Sequence, residues 1–293
     1  MASVTLATRS GPRRDGSGAV RTRVIPRSRR GMWCLAIGAL VLLAAACDSN
    51  PAPERRVQIR FDNTGIGKTA KPINQGTADD DTAVTVRTLN GGSIRTVASI
   101  QGQGRRGDFP AFDDASDGQR AVVRVENTGS GDVMDPGSAR FEFGADIRLD
   151  SANAGDAPDN GNNVIQRGLA DAESQFKLEI DGTPRKARCA VKDAAGVGIT
   201  AGSEALSPNV DYRIACVRAG TSLSVSVTPL NPDGTKGDTA TLQRNKASLG
   251  ALDFARSTPL SVGGKLKPGD GEIAAWASDQ FNGTIDNAQL TIG

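Results

Sequence analysis

Arg140-Phe-Glu-Phe-Gly-Ala-Asp-Ile-Arg-Leu149 is the stretch that decides the fold class. In an extended chain Phe141, Phe143, Ala145, Ile147 and Leu149 share one face, and the charged side chains take the other. A period of two marks a strand with one face on a core and one in water. The pattern recurs downstream. Phe176, Leu178 and Ile180 alternate with Lys177, Glu179 and Asp181, and Leu223, Val225 and Val227 alternate with three serines and a threonine. Turn signals separate the runs: Asn90-Gly91-Gly92, Asp181-Gly182, Pro232-Asp233-Gly234 and Pro268-Gly269-Asp270-Gly271. No helical pattern exceeds two turns, and there is no internal repeat. Residues 57–293 therefore predict one large all-β domain, a two-sheet antiparallel sandwich.

Composition excludes several chemistries. The 293 residues contain no histidine, so a Ser-His-Asp or Cys-His nucleophile system has no base, and most zinc hydrolases lack their ligands. Aromatic residues make up 4% of the chain, thin for a nucleic-acid stacking platform or an aromatic sugar cleft. The net charge of +2 hides a segregation. Arg9, Arg13, Arg14, Arg21, Arg23, Arg27, Arg29 and Arg30 face a single acid, Asp15, within residues 1–46, which leaves the body mildly acidic. Such a body has no electrostatic reason to seek phosphate backbones, and no nucleic-acid partner is expected.

The arginines precede an uncharged run, Gly31-Met-Trp-Cys-Leu-Ala-Ile-Gly-Ala-Leu-Val-Leu-Leu-Ala-Ala-Ala46. A cationic region, a short apolar region and small residues at its end make an export signal. The run is shorter than the about 20 residues that span a bilayer. Leu43-Ala-Ala-Ala-Cys47 resembles the bacterial lipobox, with Leu43 one step further from the cysteine than usual. Residues 1–46 are thus expected to be a lipoprotein signal peptide and Cys47 the lipidated residue. Residues 47–56, with two prolines and no apolar pattern, are expected to be a tether. Two or more acyl chains hold a protein stably at a membrane, which places the protein on the outer face of the cell membrane. Ser28-Arg29-Arg30-Gly31-Met32-Trp33 also resembles a twin-arginine signal, so the export route stays open.

Cys34 leaves with the signal and Cys47 is lipidated, so Cys189 and Cys216 remain in an oxidising compartment. Cys189 is in phase with Ala187 and Val191, and Cys216 with Tyr212 and Ile214. Both face the apolar side, which predicts a disulfide between neighbouring strands.

The order of these runs resembles the laminin-G-like group of the concanavalin A-like lectin/glucanase superfamily, a jelly-roll sandwich. Arg140–Leu149 resembles its first strong inner strand, and Asn163-Val-Ile-Gln-Arg-Gly168 the segment that follows. Cys189–Val191, Tyr212–Val217 and Ser222–Thr228 resemble the central strands, and Pro259–Gly264 a late turn into a strand. The most specific piece is Asp279-Gln-Phe-Asn-Gly-Thr-Ile-Asp-Asn-Ala-Gln-Leu-Thr-Ile292, similar to a C-terminal strand that pairs near the start of the domain. The sequence departs from the family near Asp146, where many relatives carry tryptophan, and at Asp211-Tyr212.

Each candidate site has a plainer reading beside it. Glu179-Ile-Asp181 resembles the start of the glucanase carboxylate strand, but Gly182-Thr-Pro-Arg185 follows where a further carboxylate belongs, and both acids alternate with a core face. They are expected to line the solvent side, and no catalysis is expected. Calcium is the metal the resemblance implies. Its two oxygen-rich loops are Asp156–Asn163 and the one carrying Asp113, Asp114 and Asp117, but neither has a fixed calcium-loop spacing. No cofactor or metal ligand is therefore assigned. Trp276 is the lone tryptophan after the signal and the candidate ligand-binding residue, against packing on the sandwich. Asp79-Asp80-Asp81 and Arg105-Arg106-Gly107 are expected to face solvent. The resemblance implies non-catalytic binding of a glycan or of an envelope or surface protein. The alternatives are a structural role in envelope assembly and a divergent glycoside hydrolase.

Overall fold

Strands with one apolar face need a second apolar face to bury it against, and here two sheets supply it to each other. The computed structural model describes residues 53–99, 104–111, 118–150, 162–172, 174–182, 184–269, 271–273 and 279–293. The chain divides into Met1–Ser49 and Asn50–Gly293, and every described residue belongs to the second unit.

In chain order the strands are β1 (Arg55–Arg60), β2 (Ile73–Asn74), β3 (Thr82–Leu89), β4 (Arg95–Ala98), β5 (Arg105–Asp108), β6 (Arg120–Asn127), β7 (Phe141–Leu149) and β8 (Asn162–Arg167). There follow β9 (Gln175–Asp181), β10 (Lys186–Lys192), β11 (Gly198–Ala205), β12 (Asp211–Ala219), β13 (Ser222–Leu230), β14 (Ala240–Asn245), β15 (Leu260–Val262) and β16 (Gly283–Ile292). Sheet A runs β14-β13-β12-β7-β16-β1-β2, with β5 also paired to β16 and β4 to β5. Sheet B runs β11-β10-β9-β8-β15-β6-β3. The chain crosses between sheets from β2 to β3 and back to β4, from β5 to β6, from β6 to β7, from β7 to β8, from β11 to β12, from β14 to β15 and from β15 to β16. The result is a two-sheet antiparallel jelly-roll sandwich. β1 opens at Arg55 and takes Arg55 and Arg56 out of the stretch expected to be a tether. Val57 pairs with Leu290, so the C-terminal strand does close on the start of the domain.

The expected core faces are the observed ones. Phe141, Phe143, Ala145, Ile147 and Leu149 of β7 are buried, as are Phe176, Leu178 and Ile180 of β9 and Leu223, Val225 and Val227 of β13. Phe143 and Phe176 meet across the two sheets with ring centroids 5.0 Å apart, and Phe141 lies 5.4 Å from Phe176. Phe254 meets Phe176 edge-on at 5.8 Å, and the fully buried Arg167 sets its guanidinium over the Phe254 ring.

Cys189 and Cys216 form the expected disulfide, but not between neighbouring strands. β10 lies in sheet B and β12 in sheet A, so the bond ties one sheet to the other. Sheets ordinarily pack about 10 Å apart, yet these Cα atoms are 5.8 Å apart. The inward residues nearby are small, Ala187 and Ala201 on β10 and β11, and they let the sheets converge at this edge.

Candidate functional site

Pairing register fixes which side chains share the outer face of sheet B. Gln175, Lys177, Glu179 and Asp181 on β9 stand opposite Lys192, Ala190, Arg188 and Lys186 on β10. Glu179 also faces Asn163 and Lys177 faces Gln166 on β8, Gln166 faces Ser261 on β15, and Ser261 faces Arg124 on β6. An outer sheet face would ordinarily be wet. Here Glu179, Asn163, Gln166 and Ser261 are all at most 3% exposed.

Described residues between β15 and β16 cover part of this face. Gly263 turns it at φ 82°, where a Cβ would strike the Phe109 ring at 2.0 Å. Beyond it Leu266 and Ile273 pack on Val122, an outward residue of β6. On the return, Asn163 donates its N–H to Asp279 O at 2.9 Å, and Asn282 N donates to Asn162 Oδ1 at 2.9 Å. Gln280 closes the stitch, accepting from Ala121 N at 2.9 Å and donating to Gly263 O at 2.8 Å.

Beside this covering segment a groove of about 490 Å³ stays open, floored by Ala190 and Thr200 and lined by Gln175, Lys177, Glu179, Arg188, Lys192, Lys265 and Asp279. Lys177 pairs with the Glu179 carboxylate. Arg188 Nη1 lies 3.7 Å from Glu179 Oε1 and 3.5 Å from Asp181 Oδ2. Lys265 Nζ meets Asp279 Oδ2 at 2.6 Å. The Lys192 ammonium donates to the carbonyls of Ala170 and Ala172. Burial pushes the Glu179 carboxyl above the usual range, Lys177 and Arg188 oppose the rise, and Asp181 adds to it. An amide, a hydroxyl, carboxylates, ammoniums and a guanidinium thus converge on one open groove. That set can donate to and accept from a bound molecule on several sides.

Several expected sites stand differently. Glu179 is on the outer face as expected, but it is 1% exposed rather than solvated, because cations and the covering segment close over it. Arg106 is not a solvent-facing arginine: it binds Asp211 at 2.6 Å, and Gly107 beside it packs against Phe61 and Ile94. Asp79, Asp80 and Asp81 are exposed. Cys47, Trp276, Asp113, Asp114, Asp117 and Asp156–Asn160 lie outside the described residues. Among the described residues no group of three or more acidic or cysteine side chains is placed to hold a metal ion. The groove itself was missed in the sequence. Its one local signal is the cation on each side of Glu179, Lys177 and Arg188.

The sandwich is similar to the binding domain of Paraclostridial Mosquitocidal Protein 1, at 11% identity over 80% of this chain and 48% of that chain, with a TM-score of 0.50. This chain therefore spans about half the length of that domain. The shared fold is a two-sheet β-sandwich. The carbohydrate-binding module CBM66 from Bacillus subtilis matches over 72% of this chain and 96% of its own at 12% identity and a TM-score of 0.31. The LG1-3 region of the laminin alpha2 chain matches over 52% and 28% at 19% identity and 0.38. At these identities the first likeness speaks to the fold alone, and the other two add nothing to it. No protein-family model and no curated protein matches the chain.

Proposed function

We propose that this chain is a non-catalytic binding module that holds a glycan in the groove on the outer face of sheet B. A lipid on Cys47 holds it at the outer face of the cell membrane. The observation that carries the binding role is the convergence of Gln175, Lys177, Glu179, Arg188, Lys192 and Thr200 on one open groove. The non-catalytic part rests on how the acids are held: Glu179 sits between two cations and Asp279 is paired with Lys265. The Paraclostridial Mosquitocidal Protein 1 domain of like fold is named a binding domain too, though the groove is the ground for this reading. An assembly role in the envelope is the second reading, and β14 favours it, since this edge strand of sheet A is exposed along all 6 residues.

The test is titration of the purified whole chain against a panel of cell-wall polysaccharides and glycans. Saturable binding to one class is expected. Arg188→Ala should weaken it about ten-fold, as loss of one charge-assisted hydrogen bond does. Binding to no glycan, together with a stable homo-oligomer or one co-purifying envelope protein, would favour assembly.

A further inference from the structure

A second pocket, of about 240 Å³, opens on the outer face of sheet A. It lies where β16 changes partner: Thr284 and Ile285 pair with β5, and Ala288 onward pairs with β1. The change is made at a bulge between Asp286 and Gln289, with Asn287 held left-handed at φ 49°. Bulges of this kind re-aim side chains. Register then lays two rows across the sheet, Thr284–Arg148–Asp211 and Asp286–Asp146–Arg213.

Most of these groups are occupied with one another. Asp211 takes Arg106 at 2.6 Å and Arg148 at 3.3 Å. Asp146 takes Arg213 Nε at 3.2 Å and the Asn287 amide at 2.6 Å. Two groups are left facing the pocket. Thr284 is 8% exposed, and its hydroxyl is buried with no hydrogen-bond partner. Asp286 accepts from the Asn287 N–H at 2.8 Å through Oδ1, while its ion pair with Arg60 is long, at 3.8 Å. The Nε–H groups of Arg60 and Arg106 are likewise buried without partners. Native structures keep few such orphans, and each calls for an explanation.

We propose that this pocket is a second ligand site, taking one neutral sugar residue whose adjacent hydroxyls bond Thr284 and the Asp286 carboxylate and accept from Arg106. Two features choose the ligand. The free groups are donors and acceptors side by side, which vicinal hydroxyls match. The charges nearly cancel: Arg60 on β1, Arg106 on β5, Arg148 on β7, Arg213 on β12 and Lys236 face Asp62, Asp146, Asp211 and Asp286, so an ion of either sign has little to gain. At about 240 Å³ the pocket has room for one sugar ring. The site is on the other sheet from the groove, so it stands or falls independently of it.

Burial raises the Asp286 carboxyl to about 6, with Asp146 and Asp62 adding to the rise and the Asn287 N–H and Arg60 opposing it. Protonation removes the carboxylate charge and turns its free oxygen from an acceptor into a donor, so affinity should fall about ten-fold between pH 7.5 and pH 5. Saturation-transfer NMR on the whole chain, with free glucose, galactose, mannose and N-acetylglucosamine, and glucuronate as the charged control, tests the site. At least one neutral sugar should bind saturably. Thr284→Val should weaken that binding ten-fold or more, and Asp286→Asn should remove its pH dependence. Melting curves check the fold, and should Thr284→Val fail to fold, Asp286→Asn carries the test alone. Binding of none of the neutral sugars, binding of glucuronate alone, or binding unchanged in the variants that fold would overturn the proposal.

Discussion

The Asp286 carboxyl illustrates how a single buried acid shapes the pH response. Its folded value of about 6 lies above the ordinary 3.8, so the folded state takes up this proton before the unfolded state does. Stability then rises as pH falls from about 7 towards 4, and the ionised group is destabilising above 6. A shift of this size corresponds to at most about 3 kcal/mol. Asp146, Asp108 and Glu179 are also raised, each mainly by burial, and push the same way. The melting temperature should therefore increase between pH 7.5 and pH 5, and Asp286→Asn should raise it at pH 7.5 and flatten the trend. A melting temperature that falls on this mild acidification would contradict the assignment. The disulfide is the other single-residue lever. Replacing Cys189 and Cys216 by alanine should cost about 3–4 kcal/mol in chemical denaturation, by the loop-entropy model. The bond was legible from cysteine arithmetic and strand phase. That it joins the two sheets was not, because phase says which face a cysteine takes and nothing about which sheet its strand enters.

At the scale of the strand, β7 shows what period-two alternation can carry. Its inward face was readable residue by residue because burial there is decided locally, by which side chains are apolar. Phe143 packs on Phe141 and Phe176, so Phe143→Ala should cost about 3–5 kcal/mol. Gly144, on the opposite face, is needed for a different reason. A Cβ there would lie 2.1 Å from the Ile214 carbonyl of β12, so Gly144→Ala should cost about 1–3 kcal/mol, measured the same way. Strand β9 shows where alternation stops being enough. Glu179 alternates as a solvated residue does, yet Leu266, Ile273, Asp279 and Gln280 come over part of its sheet face. The contacts that hold this cover, Gln280 to Ala121 and Asn163 to Asp279, join residues far apart in sequence and leave no local periodicity. Thr284 and Asp286 escaped notice for the same reason: they stood in a motif that marked a strand, and only the bulge turns them into a pocket.

At the scale of the whole molecule, the two sheets divide the work. Their inner faces and the disulfide make a core, while each outer face carries a recess lined by polar groups, the groove on sheet B and the pocket on sheet A. Neither oxygen-rich loop has a fixed calcium-loop spacing, and millimolar calcium or chelator should leave the melting temperature unchanged. A shift of several degrees would point to the loops around Asp114 and Asp159. The most direct test of the groove is to fill its floor without touching its charges. Ala190 faces outward between Lys177 and Thr200, so Ala190→Phe should occupy the groove and leave the core alone. Measured by isothermal titration against the polysaccharide that the wild-type chain selects, Ala190→Phe should abolish binding while the melting temperature stays within a degree or two. Undiminished affinity in a fully folded Ala190→Phe variant would show that the glycan is held elsewhere.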